Sequence, residues 1–461
     1  MLKLTIDGRE VTGRLDQTIY EVAKENGIYI PTLCYHPRLS LLKSCRICLV
    51  DVEGAEMPMA SCATPVVEGM VVHTRTERVE KMRLEALKLL LVNHPLDCPV
   101  CDAGGECQLQ NRAYEFGINH VEFVTEKVER PPFEYGTPLI RQWPDRCVMC
   151  LRCIQACIDI PGSDVLEVAE HGYLSYVKAV RKENCISCGE CLHVCPVGAL
   201  TENLSPIKGR TWQLERTLTT CTFCGCGCQL ELNTLADRKV VKVTTKEDAG
   251  TNEGSLCVKG RFGFDFIHHP DRLQKPLVKK SGVFVEVSWE EALDFIATKL
   301  QEMKEKYGAQ YIGGISSSRA TNEENFLFQK WMRACIGTNH IDTGARLSSG
   351  SSLYGMMAST GCGAMTHSME EIAKADLILI VGADAYDDNL IFSNKMRKAI
   401  RQNNAKIILV DPRKTQWEKW ANRWLRPVPG TDIAWINGLV RLLIGKEAIS
   451  REYIGSKTEG F

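Results

Sequence analysis

Cysteine is the residue that most limits what this chain can fold into, because 22 of its 461 residues are cysteines. Many of them stand in runs in which two residues separate one cysteine from the next. Cysteines so close in sequence are badly placed to bridge each other, but they are well placed to share a metal. The N-terminus also lacks the basic and apolar regions of a secretory signal, so we expect metal thiolates rather than disulfides.

Charge and hydropathy exclude other classes of function. The 56 basic and 57 acidic residues nearly cancel, which leaves no basic field for nucleic acid or for an anionic membrane. The longest apolar run, near 377–381, is far shorter than the roughly 20 residues that span a bilayer. We therefore expect a cytoplasmic protein of three or more domains, with no membrane span and no nucleic-acid partner.

Residues 1–78 have the pattern of a small β-rich domain. Alternating apolar residues, a turn at Asp7-Gly8 and a strand around Val11 precede a helix with the capping box Thr18–Glu21. Four cysteines after such a hairpin and helix indicate a 2Fe-2S cluster in a loop. A zinc site is the alternative, although zinc more often binds two C-x2-C knuckles. The cysteines are spaced C-x10-C-x2-C-x13-C and are Cys34, Cys45, Cys48 and Cys62.

Residues 79–138 begin with a helical pattern that stops at Asn93, beside His94 and Pro95. A histidine at a helix end is, taken alone, more often a capping or surface residue. Three cysteines close behind it favour a ligand of a 4Fe-4S cluster, and a neutral imidazole there should raise the reduction potential. The predicted ligands are spaced H-x3-C-x2-C-x5-C and are His94, Cys98, Cys101 and Cys107.

Residues 139–208 contain an internal repeat of C-x2-C-x2-C-x3-C, and Pro196 follows its second copy. This is the signature of bacterial two-cluster ferredoxins, in which the fourth cysteine of each run binds the other cluster. One predicted 4Fe-4S ligand set is therefore Cys147, Cys150, Cys153 and Cys195. The other is Cys157, Cys185, Cys188 and Cys191.

Residues 214–270 contain CTFCGCGC, which packs four cysteines into eight residues. Its C-x2-C-x3-C run needs a fourth ligand, and Cys257 is the only later cysteine before Cys335. We expect Cys226, between two glycines, to pack as a small residue in a tight loop, and Cys335 and Cys362 to be free thiols. The predicted set for a further 4Fe-4S cluster is Cys221, Cys224, Cys228 and Cys257.

From about residue 270 cysteines almost vanish and an α/β rhythm begins. Trp289–Tyr307 is amphipathic, and short apolar runs at 311–315, 377–381 and 407–410 are typical of parallel strands. The loops that follow them are SSSRATNEEN, GADAYDDN and DPRKT. Loops at the carboxyl ends of such strands bind ligands, so a nucleotide or pterin site and ordinary βα turns are equally weighted interpretations.

The order of these sites, ending in CTFCGCGC and CVKGRFGFDFIHHPDRL, resembles the large subunit of cytosolic NAD-linked formate dehydrogenases. It is also similar to the largest iron–sulfur subunit of respiratory complex I. The front half resembles iron-only hydrogenases, but the sequence lacks the further cysteine motifs that hold their active cluster. The resemblance covers the whole chain and implies a multidomain α/β and α+β fold. Its expected parts are a β-grasp 2Fe-2S domain (1–78), a one-His/three-Cys cluster domain (79–138), a two-cluster ferredoxin domain (139–208), a 4Fe-4S domain (214–270) and a truncated molybdopterin-oxidoreductase-like parallel α/β domain (271–461).

The resemblance also implies where a catalytic cofactor would lie. In formate dehydrogenases the cluster matching Cys221–Cys257 passes electrons to a molybdenum or tungsten bis-pterin, and a lysine matching Lys259 lies between them. The family's metal ligand and the histidine after it match Ser348 and Ser349. A serine hydroxyl is a poor ligand for a soft metal, and the proton acceptor is lost. With the chain ending at KTEGF, we expect no molybdenum or tungsten and no catalytic residue.

These features predict an electron-transfer subunit that relays single electrons through one 2Fe-2S and four 4Fe-4S clusters. The sequence has no G-x-G-x-x-G fingerprint, so a partner must handle the hydride. The resemblance implies a flavoprotein NAD(P)H-oxidising subunit with further iron–sulfur or catalytic subunits, and ferredoxin is another candidate. The assembly would be a soluble hydrogenase, transhydrogenase or electron-bifurcating complex. The alternatives are a catalytic alpha subunit of an NAD-dependent formate dehydrogenase and a scaffold whose clusters mainly stabilise the fold.

Overall fold

The computed structural model describes residues 1–123, 125–131, 136–204 and 209–461. The chain divides into two units. The first contains Met1–Asp159 and Ser163–Ser368, and the second contains Ile160–Gly162 and Met369–Phe461. Within the described residues, none of the helices combines the length and the apolar character needed to cross a bilayer. Every predicted cluster ligand lies in the first unit.

The chain opens with a five-stranded sheet in the order β2-β1-β5-β3-β4, against which helix α1 packs. The predicted hairpin forms at Asp7-Gly8, where Gly8 has a φ of 77°. The predicted capping box is present, since the Thr18 side chain accepts from the Glu21 N–H while the Glu21 carboxylate accepts from the Thr18 N–H. The elements are β1 (Leu2–Ile6), β2 (Arg9–Gly13), α1 (Ile19–Glu25), β3 (Leu49–Val52), β4 (Met59–Ala60) and β5 (Val71–His73).

Two helices form the next region, and they share a core with their neighbours. Helix α2 (Glu77–Val92) ends next to Asn93 as predicted, and α3 (Gln108–Glu115) begins directly after Cys107. Leu87 and Leu91 of α2 belong to one buried cluster with residues from the 2Fe-2S loop and the ferredoxin region. The first three predicted cluster regions therefore share one apolar core.

The ferredoxin region consists of two antiparallel strand pairs and two short helices that pack on each other. Each predicted cysteine run leads into one of the helices, as the internal repeat requires. The elements are β6 (Ile140–Gln142), α4 (Arg152–Asp159), β7 (Leu166–Ala169), β8 (Tyr176–Ala179), α5 (Glu190–His193) and β9 (Leu200–Glu202).

A three-stranded antiparallel sheet carries the CTFCGCGC stretch as the loop between its first two strands. Its strands are β10 (Glu215–Thr220), β11 (Gln229–Thr234) and β12 (Val240–Thr244), and helix α6 (Val258–Phe262) starts directly after Cys257. The remainder of the first unit is a hairpin followed by an α/β segment. Its elements are β13 (Leu277–Lys280), β14 (Val283–Glu286), α7 (Trp289–Tyr307), β15 (Gly314–Ser316), α8 (Asn322–Trp331), β16 (Ile341–Thr343) and α9 (Ala345–Thr360).

Parallel pairing is confirmed in both parts of the α/β region. Strand β15 pairs with β16, and in the second unit three parallel strands pair in the order β17-β18-β19. The strand predicted at 311–315 is shifted, because Ala309–Tyr311 forms a helical turn after Gly308 and β15 starts only at Gly314. The second unit contains α10 (Met369–Ile372), β17 (Leu377–Val381), α11 (Ala385–Asp388), α12 (Leu390–Asn403), β18 (Lys406–Val410), β19 (Arg423–Leu425), α13 (Asp432–Gly445) and α14 (Arg451–Lys457).

Truncation of Ile6 tests the core of the N-terminal sheet. Ile6 is 0% exposed and packs in the core with Val22 and Val72, so Ile6→Ala should lower the free energy of unfolding by about 2–5 kcal/mol. The measurement is the temperature at which the visible absorbance of the 2Fe-2S cluster is lost. Leu15→Ala is the matched control, because Leu15 is 81% exposed. Equal effects of the two substitutions would contradict this assignment of the core.

Candidate iron–sulfur sites

The four thiols predicted for the 2Fe-2S cluster are buried and form two close pairs. A hydrogen bond from the Cys45 thiol lowers the pKa of Cys34 to about 5, and one from the Cys62 thiol lowers the pKa of Cys48 to about 7. The pKa of each donor thiol, Cys45 and Cys62, is raised chiefly by the same hydrogen bonds. A two-iron cluster takes two thiolates on each iron, so two adjacent pairs of thiols suit it.

The sheet explains why these cysteines meet. Cys48 directly precedes β3 and Cys62 follows β4, and the two strands pair antiparallel. The Ser61 hydroxyl donates to the Cys48 carbonyl at 2.7 Å, which holds the two ends together. The loop from Cys34 to Cys48 winds tightly, with Arg46 at a φ of 58°. Such a left-handed position is uncommon for a residue other than glycine and is kept only where the surroundings fix it.

His94 is buried, at 7% exposure, and its Nδ1 has no hydrogen-bond partner among the described residues. Burial lowers the pKa of the imidazole and so favours its neutral form, which is the form that binds metals. A cavity of about 1000 Å³ is lined by His94, Cys98 and Cys107, among other residues. Burial raises the pKa of Cys107, and the charges of Cys101 and Cys98 act on it as well. An orphaned buried nitrogen beside three thiols fits a ligand of a cluster.

Contacts from distant segments hold this site. Arg146 pairs with Asp97, next to Cys98, with its Nε 3.1 Å from Oδ2. The Arg210 Nη1 donates to the Cys101 carbonyl at 2.6 Å. Gly198, from the ferredoxin region, lies so close to Cys101 that an added Cβ would overlap its Sγ. The sequence pattern indicated the ligands but none of these supporting contacts.

Cysteines of the two ferredoxin runs lie close to one another. Burial raises the pKa of Cys153 well above its usual range, and the charges of Cys147, Cys150, Cys195 and Cys191 act on it as well. Burial also raises the pKa of Cys195, to about 11, with Cys147 contributing. Cys195 therefore lies with the first run, although it ends the second.

At the other end of helix α4, Cys157 of the first cysteine run lies near cysteines of the second run. Burial raises the pKa of Cys157, and the charge of Cys185 acts on it as well. Cys157 in turn contributes to the raised pKa of Cys188, which burial dominates. The Val165 N–H lies 3.4 Å from the Cys157 Sγ. Cys153 and Cys157 both lie on α4, so this helix carries one cysteine of each predicted set.

The loop between β10 and β11 contains four cysteines, and Cys257, directly before α6, lies near them. Burial raises the pKa of Cys228, and the charges of the four other cysteines raise it further. Cys226 is among them, as expected for a residue two positions from Cys228, and its place as a small residue in a tight loop stays a prediction. The Cys221 N–H donates to the Cys228 carbonyl at 2.8 Å and closes this loop. The four other cysteines are Cys221, Cys224, Cys226 and Cys257.

Arg319 is a residue of this site that the sequence pattern missed. It stands in the loop SSSRATNEEN, which the pattern assigned equally to ligand binding and to an ordinary turn. Its Nη1 donates to the carbonyls of Thr222 and Phe223, inside the Cys221–Cys224 loop. A single arginine in a serine-rich loop gives no signal of such a contact.

The residues matching the family's catalytic positions are exposed. Ser348 and Ser349 lie on α9 with their hydroxyl oxygens 3.4 Å apart, and Lys259 lies exposed on α6. In the second unit, burial raises the pKa of Asp384 in the loop after β17, with Asp387 contributing. Asp411, after β18, is buried and pairs with Arg413 at 3.4 Å.

No group of three or more His, Cys, Asp or Glu side chains within the described ranges is arranged to hold a single metal ion. The ligands of an iron–sulfur cluster bind different iron atoms, so their donor atoms stay further apart than those of a one-ion site.

Gly198→Ala tests the contact between the ferredoxin region and the His94 site. The new methyl group would overlap Cys101 Sγ, so the variant should lose or distort one cluster signal in EPR and keep the others. His94→Ala and Cys98→Ser should change the same signal. Gly344→Ala is the matched control, because nothing lies within 4 Å of an added Cβ there. An unchanged spectrum for Gly198→Ala, or a different signal lost in His94→Ala, would contradict this ligand set.

Five family models match the chain in sequence order, and together they cover its predicted domains. They are a 2Fe-2S iron-sulfur cluster binding domain (1–77), the NADH-ubiquinone oxidoreductase-G iron-sulfur binding region (83–122), the NADH-quinone oxidoreductase subunit 3 ferredoxin-like domain (137–201), the molybdopterin oxidoreductase Fe4S4 domain (214–269) and molybdopterin oxidoreductase (272–451).

Two solved structures match part of the chain. An NAD+-reducing [NiFe]-hydrogenase in the H2-reduced state has 29% identity and a TM-score of 0.42, and the match covers 45% of this chain and 90% of that one. Acetylene hydratase from Pelobacter acetylenicus has 23% identity and a TM-score of 0.44, over 52% of this chain and 33% of that one.

The curated relatives are similar over almost the whole chain. The NADPH-Fe(3+) oxidoreductase subunit alpha of Geobacter sulfurreducens is 37% identical over 98% of this chain and 53% of its own length. An NADH-quinone oxidoreductase subunit of Rhizobium meliloti is 35% identical over 96% and 52%. A putative formate dehydrogenase of Staphylococcus aureus is 31% identical over 100% and 51%. The chain thus spans about half the length of the curated relatives it matches. The chain is therefore similar, over almost its whole length, to NADH-quinone oxidoreductase and formate dehydrogenase-like proteins, which are its homologues.

Proposed function

We propose that this chain is the iron–sulfur electron-transfer subunit of a multi-subunit NAD(P)H-linked flavin oxidoreductase. The observation that carries the proposal is the shared burial of cysteines from different predicted sets. Cys34, Cys45, Cys107 and Cys150 belong to one apolar core, although they come from three sets. Electron tunnelling falls steeply with distance, so ligand sets that share a core are suited to pass electrons between them.

The ligand assignment follows the sequence pattern, and the placement of the thiols supports it. The paired thiols of the first set fit a 2Fe-2S cluster, and the orphaned His94 nitrogen fits a mixed imidazole and thiolate site. When bound, the clusters would supply one-electron carriers. The chain's own residues would hold them and exclude water. The proposed sets are Cys34/Cys45/Cys48/Cys62, His94/Cys98/Cys101/Cys107, Cys147/Cys150/Cys153/Cys195, Cys157/Cys185/Cys188/Cys191 and Cys221/Cys224/Cys228/Cys257.

The proposed partner is a flavoprotein that oxidises NAD(P)H, because the sequence contains no dinucleotide fingerprint. The names of the Geobacter and Rhizobium relatives support this direction, since both refer to NAD(P)H oxidoreductase subunits. Further iron–sulfur or catalytic subunits and ferredoxin are the proposed acceptors. An electron-bifurcating complex is one form that this assembly could take.

The second candidate function is the catalytic alpha subunit of a formate dehydrogenase. The match of residues 272–451 to molybdopterin oxidoreductase favours it. Ser348 and Ser349 weigh against it, because hydroxyl groups replace the soft ligand and the proton acceptor of that family.

The electron donor separates these two functions. Anaerobic NADH should bleach the visible absorbance of the clusters only when the co-purified flavoprotein subunit is present. Formate should not bleach it under any condition, because Ser348 and Ser349 replace the family's metal ligand and proton acceptor. Dithionite is the positive control for reducible clusters. Bleaching by formate alone would overturn the electron-transfer proposal in favour of the catalytic one.

Metal content tests the ligand sets as a whole. One 2Fe-2S and four 4Fe-4S clusters predict about 18 iron atoms per chain, without stoichiometric molybdenum or tungsten. Elemental analysis of anaerobically purified protein measures this, and Cys257→Ser should remove about four iron atoms. Cys335→Ser is the control, because Cys335 is exposed and lies outside every set. About 14 iron atoms in the unaltered chain would mean that one 4Fe-4S assignment is false.

A further inference from the structure

A buried network of charged and polar side chains in the first unit joins three of the cluster-bearing segments. One part follows Cys34, a second lies within the second ferredoxin run, and a third flanks Cys257. We call it the Glu190 network, after the residue at its centre. Its members are His36, Arg38, Glu190, His193, Glu247, Ser255 and Arg261.

Glu190 receives hydrogen bonds from two of these segments at once. Its side chain is 1% exposed. One carboxylate oxygen accepts from the Arg38 guanidinium at 3.0 Å. The other accepts from the Leu256 N–H at 3.3 Å and lies 3.5 Å from the Arg261 guanidinium. Since Glu190 stands between Cys188 and Cys191, and Leu256 directly precedes Cys257, one carboxylate connects two proposed ligand sets.

The remaining contacts complete the network around Glu247. Its carboxylate lies 2.5 Å from the Arg38 Nε, 2.6 Å from the His193 Nε2 and 3.3 Å from the His36 Nε2. Arg38 also donates to the Ser255 hydroxyl at 2.8 Å. Two arginines and two histidines therefore surround two glutamates.

Arg261 ties the network to the ferredoxin backbone. Its Nε donates to the Cys188 carbonyl at 3.0 Å. Gly189 makes room for it, because a Cβ on this glycine would overlap the Arg261 side chain. Gly189 also has a φ of 73°, a backbone conformation that favours glycine. The ferredoxin run is thus shaped locally to receive an arginine from the Cys257 segment.

Stability alone does not explain such a network. A buried ion pair is often no more stabilising than apolar residues of the same volume, because both charges lose their hydration. A network that joins three segments does, however, disfavour other arrangements of those segments. Its effect here is geometric, since it fixes residues 214–270 against the ferredoxin region.

We propose that Glu190 is a positioning residue that sets the distance and orientation between two clusters, those of Cys157/Cys185/Cys188/Cys191 and Cys221/Cys224/Cys228/Cys257. The proposal rests on the ligand sets of the proposed function. When bound, the two clusters would exchange single electrons, a transfer in which no bond is formed or broken. One connection between the two sets runs from Cys188 or Cys191 through the Glu190 side chain and its hydrogen bond from the Leu256 N–H to Cys257.

The experiment measures the magnetic interaction between the two clusters in the dithionite-reduced full chain. The EPR signal of the Cys221/Cys224/Cys228/Cys257 cluster is identified as the one that Cys257→Ser removes. Power saturation and pulsed EPR measure the spin relaxation of this cluster. In the unaltered chain the relaxation should be faster than that of an isolated cluster, because the neighbouring cluster is paramagnetic too. Glu190→Gln should keep the iron content and weaken or abolish this enhancement.

A matched control comes from strand β11 of the three-stranded sheet β10-β11-β12. Glu231 is also a buried carboxylate, but its partners Thr244 and Lys246 lie on or next to β12 of that sheet, at 3.0 and 3.6 Å. Glu231→Gln should therefore leave the relaxation enhancement unchanged. Arg38→Gln removes the partner of Glu190 at a position four residues from the nearest proposed ligand, and it should reproduce the effect of Glu190→Gln.

Unchanged relaxation in Glu190→Gln or Arg38→Gln, with full iron content, would overturn the proposal. Loss of iron in both variants, with the Glu231 variant intact, would overturn it too, because the network would then hold the clusters rather than their separation. Dithionite reduces the clusters directly, without a physiological electron donor, so the result of this experiment is independent of the NADH experiment. A failure of NADH reduction with the relaxation effect intact would count against the proposed function alone.

Discussion

Burial of thiols in apolar cores is the constraint on which the rest of this chain depends. Burial raises the pKa of Cys150, Cys153 and Cys188, and neighbouring cysteines raise it further. Four thiolates crowded in such a core would repel each other and lose their hydration, so each set needs a cation to carry its charge. Cluster binding would supply that cation and would couple metal uptake to folding.

The thiols reach these cores because the cysteines lie on, or directly next to, short helices and strands. Helix α4 carries Cys153 and Cys157, which belong to two different proposed sets, and the pairing of β3 with β4 brings Cys48 close to Cys62. Close packing between regions then protects the sites. Gly198 has no side chain because Cys101 occupies the space beside it. The ferredoxin region thus contains the proposed ligands of its own sites, and its backbone packs against the neighbouring His94 site.

Ion pairs and hydrogen bonds connect segments of the chain in addition to the apolar cores. The Glu190 network joins three segments that each carry proposed ligands, and Arg319 reaches from the α/β region into the Cys221–Cys224 loop. These contacts use groups whose partners are far away in sequence. They give the proposed relay a fixed geometry, which electron transfer requires because its rate depends steeply on distance.

The sequence by itself determined the ligand spacings, the order of the cluster regions, the capping box at Thr18 and the parallel strands of the α/β region. Those features are local, because C-x2-C runs, caps and short apolar strands depend on residues a few positions apart. Only the tertiary structure decided that Gly198 faces Cys101, that Arg319 bonds to the Cys221–Cys224 loop and that Glu190 bonds to Arg38 and Leu256. Arg38 and Glu190 are 152 positions apart, and no periodicity or spacing links residues so distant. Their contact follows from the packing of whole regions, which brings opposite charges together away from water.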